Sequence, residues 1–197
     1  MSEVVAPEHF VLAQLPAQAW KNGAGLTREI ATEPPGAAID AFEWRISVAE
    51  VTQDAPFSAF PGVDRCIVLL DGDGLHLRGA DGALDQPLDA PDRPFRFPGD
   101  AALSARVLGG PTTDFNVMVR RGRWRAEVRR VDAAEMLPRA DATLLLGRRG
   151  AWAVQNMDAA LGEGHALLWR QPIDGLRARP TGAGARLLCV GLWRERP

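Results

Sequence analysis

The chain has 197 residues, 46% of them hydrophobic, with 23 Lys and Arg against 25 Asp and Glu and a net charge of −2. Length and apolar content suit one large β domain or two fused half-barrels with an ample core. The absence of a basic excess argues against a nucleic-acid surface, and GC-rich coding accounts for Lys21 being the only lysine among arginines.

Cys66 and Cys189 each lie in an apolar run, a pattern of buried thiols in a reducing compartment rather than a disulfide framework. The first twenty residues lack a basic start followed by a long apolar segment, so no export signal is expected. The longest apolar run, Leu187 to Trp193, falls short of the roughly 20 residues that span a bilayer. A soluble cytoplasmic protein with no membrane partner is expected.

Residues 8–15 alternate loosely, as an edge strand would. Ala19 to Ile30 reads A-W-K-N-G-A-G-L-T-R-E-I. Here Gly23 and Gly25 mark a loop that turns sharply or approaches another group closely, with Lys21 and Asn22 at its entrance. Thr27 to Thr32 reads as a strand. Phe42 to Val51 alternates most cleanly, with Phe42, Trp44, Ile46 and Val48 on one face and Glu43, Arg45, Ser47 and Ala49 on the other. That polar face meets water or lines a polar cavity.

Pro56 to Leu77 reads as a Pro-Gly turn, a buried strand over Cys66–Leu70, a tight hairpin at Asp71-Gly72-Asp73-Gly74 and a return strand. Arg65 stands just before the buried strand, a charge positioned to enter the enclosed space. Gly79 to Asp92 reads as a polar excursion, Pro94–Asp100 as a short strand, and Leu103–Leu108 as an alternating one. Asp114 to Val119 alternates too, with Asn116 and Met118 opposite Phe115, Val117 and Val119. The basic stretch Arg120–Arg130 reads as a solvated strand or linker around Gly122, and Val131–Pro138 as a short helical or irregular piece. No segment up to Val119 has a helical period.

A faint repeat is present. I-V-L-L-D-G-D-G-L-H-L in the first half matches T-L-L-L-G-R-R-G-A-W-A-V in the second as strand, glycine turn and strand. R-P-F-R-F-P and H-A-L-L-W-R-Q-P both give an apolar strand closed by proline. Such a repeat predicts two fused half-barrels, 1–121 and 122–197, forming one compact unit.

Candidate chemistry follows by residue type. A metal centre of converging imidazoles and carboxylate has no support from His9, His76 and His165, none of which is paired at i,i+2. Neither cysteine sits where a thiolate would be activated, no G-x-S-x-G elbow occurs, and the chain has no tyrosine. No metal, cofactor or catalytic set is therefore expected. What remains is Lys21, Asn22, Arg28, Arg45, Arg65, Asp114 and Asn116 on strand faces or glycine loops. Two arginines inside one barrel repel unless an anion lies between them, and each can hold a carboxylate through paired hydrogen bonds. Against this stands a surface face, or ion pairs to Glu29, Glu43, Asp64 or Asp100.

The blocks at 19–30, 42–51, 56–65, 69–74, 94–100 and 114–121, in this order, resemble the HutD/Ves family. The likeness covers most of residues 10–121 and weakens to pattern alone beyond Arg121. The family's usual G-G-G after Trp-Lys-Asn is Gly23-Ala24-Gly25 here. The resemblance implies an all-β bicupin, two cupin-like halves of RmlC-like jelly-roll type, and an accessory rather than enzymatic role in histidine utilisation or stress response. It implies binding of a small carboxylate such as urocanate or formylglutamate, with restraint of pathway output. By position Arg45 and Arg65 clamp the carboxylate and Asn116 orients the polar tail. Lys21 and Asn22 sit on the loop over the pocket, Trp20 or Phe97 wall it, and Asp114 completes the set. A homodimer is expected by analogy. Two other readings stay open: a metal-independent isomerase or hydrolase using Lys21, Glu29 or Asp114 as acid or base, and an interaction scaffold using the arginine-rich segment near Trp124.

Overall fold

The computed structural model describes residues 6–195. The chain divides into two compact units, Leu15–Arg125 and a second made of Met1–Gln14 with Ala126–Pro197. Among the described residues no helix is long and apolar enough to cross a membrane. Strands account for nearly all regular structure. After β1 (Glu8–Val11), the first unit contains β2 (Ala17–Ala19), β3 (Gly25–Glu33), β4 (Trp44–Val51), β5 (Ala55–Phe57), β6 (Val63–Asp71), β7 (Leu75–Gly79), β8 (Asp85–Leu88), β9 (Pro94–Pro98), β10 (Leu103–Val107) and β11 (Thr112–Arg120). The remaining strands are β12 (Trp124–Val131), β13 (Glu135–Met136), β14 (Ala142–Arg149), β15 (Trp152–Val154), β16 (His165–Trp169), β17 (Arg177–Pro180) and β18 (Arg186–Arg194).

The first unit holds a six-stranded sheet in the order β2-β3-β4-β11-β6-β9 and a four-stranded sheet in the order β5-β10-β7-β8. The second unit holds β1-β16-β14-β18-β12 and β13-β17-β15. The two units share a plan. In the first, β11 lies between β4 and β6, β6 continues to β9, and β10 lies between β5 and β7. In the second, β18 lies between β12 and β14, β14 continues to β16, and β17 lies between β13 and β15. The faint sequence repeat falls on matching strands, β6–β7 against β14–β15 and β9 against β16.

Four readings of the sequence are corrected or refined. The Asp71–Gly74 turn is not a hairpin, because β6 and β7 belong to different sheets. It is a corner where the chain leaves one sheet for the other. Gly72 and Gly74 have φ of 96° and 97°, and a Cβ on Gly72 would stand 2.5 Å from the Pro111 carbonyl oxygen. A Cβ on Gly74 would collide with the Leu88 carbonyl oxygen, so both positions require glycine on steric grounds. Within Gly79–Asp92, Asp85–Leu88 forms strand β8. Val131–Pro138 takes the irregular alternative, interrupted by the short strand β13. The halves also divide differently from 1–121 and 122–197, since β1 pairs with β16 from Glu8↔Leu168 to Val11↔His165 and so joins the second unit.

The basic stretch is a turn and a strand. Gly122 has φ of 74° between β11 and β12. Arg121 bridges Asp64 and Asp100, Arg123 pairs with Glu43 and Arg130 with Asp132. These arginines mostly meet the chain's own carboxylates.

Alternation along β4 and β11 sets the interior of the first unit. In register, Asn116 lies opposite Ser47 on one side and Ile67 on the other, and Met118 lies opposite Arg45 and Arg65. The facing residues Ile46, Val48, Phe115 and Val117 are buried as well. Between the two sheets an apolar cluster of Val51, Ile67, Leu75, Leu77, Leu88, Leu103 and Ala105 forms the core. The polar members of the same inward face are left over for a cavity.

Candidate functional site

That cavity, of about 410 Å³, lies wholly within the first unit. Its floor is the inward face of β4 and β11, where Ser47, Asp114, Asn116 and Met118 are all buried. Arg45 and Arg65 enter from β4 and β6, Thr27 from β3, and Phe57 from β5. Lys21, Asn22 and the exposed Ile39 form part of the rim.

Arg65 is the most constrained group. Its guanidinium carbon sits 5.5, 5.4 and 4.9 Å from the ring centroids of Phe57, Phe60 and Phe97. The positive charge thus faces three electron-rich ring faces, which hold the head in place. Nη1 donates to the Ser58 carbonyl and Nη2 to Asn116 Oδ1, both at 3.3 Å, while the buried Nε has no partner. Burial, and secondarily the charge of Arg45, lower its pKa to about 10. Among the described residues no carboxylate pairs with it.

Arg45 differs. Its Nε donates to Glu29 Oε2 at 2.8 Å, and its Nη1 to Ser47 Oγ at 3.3 Å. The pairing depends on β3, whose register shifts between Glu29 and Ala31. The second arginine of the expected clamp therefore has a carboxylate of its own in Glu29.

Asp114 is fully buried, and neither carboxylate oxygen has a hydrogen-bond partner. Burial pushes its carboxyl up to about 7, because desolvation disfavours the charged form. Asn116 Nδ2 donates at 3.4 Å to the Asp114 main-chain carbonyl, not to its side chain.

The glycine loop does both things expected of it. Gly23 takes φ of 71°, and Asn22 Oδ1 accepts from the Ala24 N–H at 3.1 Å to close the turn. Gly25 passes so close to the Glu50 carbonyl that a Cβ would collide with it. Ala24 is buried and its carbonyl accepts from the N–H of Thr52, so the extra methyl does not line the cavity. Trp20 forms a side wall, donating through Nε1 to Thr27 Oγ1 at 2.8 Å and meeting Phe57 edge-on at 6.3 Å.

Seven of the nine residues singled out from sequence, Trp20, Lys21, Asn22, Arg45, Arg65, Asp114 and Asn116, line this one cavity, while Arg28 donates to the Leu15 carbonyl and pairs with Glu50 outside its lining. Phe97 stands behind Arg65 in the apolar core rather than on the wall. The sequence reading missed Phe57 and Phe60. The signal for them was present, two phenylalanines three apart in a segment without strand alternation. His9 and His165, 156 residues apart in the chain, also meet, their rings stacked with nitrogens 3.0 Å apart in the second unit. Among the described residues no group of three or more His, Cys, Asp or Glu side chains gathers as a metal site would require.

Comparison with known proteins gives a consistent picture. The chain is 36% identical over 171 residues to protein Ves of Cronobacter sakazakii, covering 86% of this chain and 91% of that one. It is 39% identical over 131 residues to a 21.2 kDa protein of the hutC 3′ region in Pseudomonas putida, covering 66% and 67%. Among solved structures, HutD from Pseudomonas fluorescens SBW25 in a formate condition superposes with a TM-score of 0.82, at 27% identity, over 97% of this chain and 100% of that one. A cupin 2 barrel domain protein from Leptotrichia buccalis superposes with a TM-score of 0.56 at 9% identity, covering 96% and 98%, a likeness of fold alone that makes the architecture cupin-like. With the HutD family model matching residues 12–188, nearly the whole of both units, the chain belongs to the HutD family.

Proposed function

We propose that this protein binds a small carboxylate metabolite in the cavity of its first unit and acts in the control of histidine utilisation. One observation carries the reading: Arg65 stands in the cavity, cornered by three phenyl rings, with an unbonded Nε and no carboxylate of its own among the described residues. A buried guanidinium without a counter-ion is costly, and a carboxylate ligand supplies both the charge and the fork of acceptors. The hutC 3′ region named for the Pseudomonas putida relative supports the pathway. Urocanate and formylglutamate are the first candidates, and a bound-state signal that restrains pathway output is the proposed role. The shared strand order of the two units supports reading the fold as a bicupin. Two free, buried thiols support a reducing compartment.

Titration calorimetry with urocanate and formylglutamate tests the site. Arg65→Ala should weaken binding by about 2–5 kcal/mol, as expected for removing one partner of a buried charge pair. Unchanged affinity in that variant rules the site out.

A second reading, a metal-independent isomerase or hydrolase, is favoured by Asp114, whose pKa of about 7 suits a general acid or base. Of its other candidates, Glu29 is engaged by Arg45 and Lys21 is exposed at the rim. Incubation with the same metabolites followed by NMR separates the readings: new product resonances establish an enzyme, and saturable binding without product establishes a sensor.

A further inference from the structure

The small sheets of the two units are alike on their inner faces and differ on their outer ones. In the first unit Leu75, Leu77 and Ala105 point into the core, so His76 and Arg78 of β7 point outward. There β8 lies beside β7 as a fourth strand, with Asp85 opposite Arg78, and the Asp85 carboxylate pairs with both His76 and Arg78. The second unit has no such strand among the described residues; past β15 runs only the single bridge between Trp152 and Leu161. Ala178 of β17 points into the core, which turns Arg177 and Arg179 outward. Both are exposed, and among the described residues neither guanidinium has an ion pair or a hydrogen bond.

These two arginines line a cavity of about 710 Å³ along β13, β15 and β17. Small neighbours leave the room for it: Ala153 lies opposite Arg179, and Ala134 leads into β13. Met136, 59% exposed, lies opposite Arg177, and Met157 lines the cavity with one side against the core. Glu135, a carboxylate of the lining, is held by Arg129. The surface thus joins two cations to two thioether side chains, which adapt to apolar groups of varied shape.

We infer that this face docks an acidic, extended segment of a partner protein, one with carboxylates at alternate positions. Arg177 and Arg179 are two residues apart on one strand, so their side chains leave the sheet about 7 Å apart. A strand lying along β17 presents its own side chains i and i+2 at that spacing, and each carboxylate meets one guanidinium fork. Apolar residues beside them rest on Met136 and Met157. The first unit shows what answers such a face, since there the chain supplies its own acidic strand. Exposure of both arginines suits a segment laid across the surface rather than a metabolite enclosed on all sides.

The test titrates the full chain into fluorescein-labelled peptides and reads anisotropy. One peptide carries two glutamates at alternate positions between apolar residues; its control carries glutamines there. The glutamate peptide should bind about tenfold more tightly, the combined effect of two partly screened charge pairs, and high salt should remove most of that difference. Arg177→Gln combined with Arg179→Gln should bring the two peptides to within about twofold of each other, with the melting temperature unchanged to show that the variant is folded. Equal binding of the two peptides to the wild type overturns the inference without any variant. So does a preference that survives the double substitution, or failure of both peptides to bind. Displacement of the peptide by an equal concentration of succinate assigns the face to a free dicarboxylate, and tighter binding of a single-stranded oligonucleotide assigns it to a nucleic acid; either result overturns the inference too.

Discussion

The two units share a strand order and differ in what they enclose. In the second, Leu145, Trp152, Leu167, Trp169, Leu187 and Cys189 form one apolar cluster, and the cavity of about 710 Å³ along β13, β15 and β17 holds no inward pair of arginines. In the first, an apolar core of the same kind stops partway, and the inward positions of β4, β6 and β11 carry Arg45, Ser47, Arg65, Asp114 and Asn116. The sheet architecture is indifferent to this choice. Backbone hydrogen bonding is satisfied by the ladders either way, and only the inward side chains decide between core and cavity. Inside, one copy of the plan is a packed body and the other a site, and the energetic consequences should divide accordingly.

The largest effect is expected in the filled unit. Trp152 is fully buried, and Trp152→Ala should cost about 3–5 kcal/mol of stability in urea unfolding. A loss below 1 kcal/mol, on the order of a surface change, would break the contrast.

Asp114 gives the next effect, and it has a sign. Its native pKa is raised to about 7, against about 3.9 unfolded. Between those values the native state holds a proton that the unfolded chain has released, so stability falls as pH rises from about 4 to 7, by up to roughly 4 kcal/mol. Asp114→Leu should flatten that slope in unfolding curves recorded across the window. Identical slopes in wild type and variant would show that the carboxyl is not buried in solution.

The smallest effect sharpens the comparison inside the site. Arg45 is already neutralised by Glu29, so Arg45→Met should weaken carboxylate binding by only about 1 kcal/mol, well below the loss from Arg65→Ala. Equal losses would restore the symmetric clamp that the sequence reading proposed.

Much of this was legible before any coordinates. Alternation in Trp44–Val51 and Asp114–Val119 is a local property: successive side chains of a strand point to opposite faces, so inward and outward sets can be read from the letters. Glycines in the Trp20–Gly25 loop announced a turn and a close approach, and both are present. The repeat of strand, glycine corner and strand pointed to two like units because each copy carries its pattern locally.

What stayed hidden depended on partners distant in the chain. A glycine-rich corner between two sheets and a hairpin within one have the same local letters; the difference lies in β10, which pairs with β7 from Leu103↔Gly79 to Val107↔Leu75, residues 24 to 32 positions apart. The docking of β1 on β16 joins residues more than 150 positions apart, and the meeting of His9 with His165 follows from it. Likewise, Arg45 finds a carboxylate because Glu29 lies on the neighbouring strand β3, opposite Ser47, whereas Arg65 stands on β6 beside Met118 and Phe97. Periodicity, turn chemistry and apolar content set the strands, their faces and the all-β class, since those depend on neighbours along the chain. Tertiary pairing alone decided which inward face would be filled and which charge would be left without a counter-ion, because burial and ion pairing are set by groups that only folding brings together.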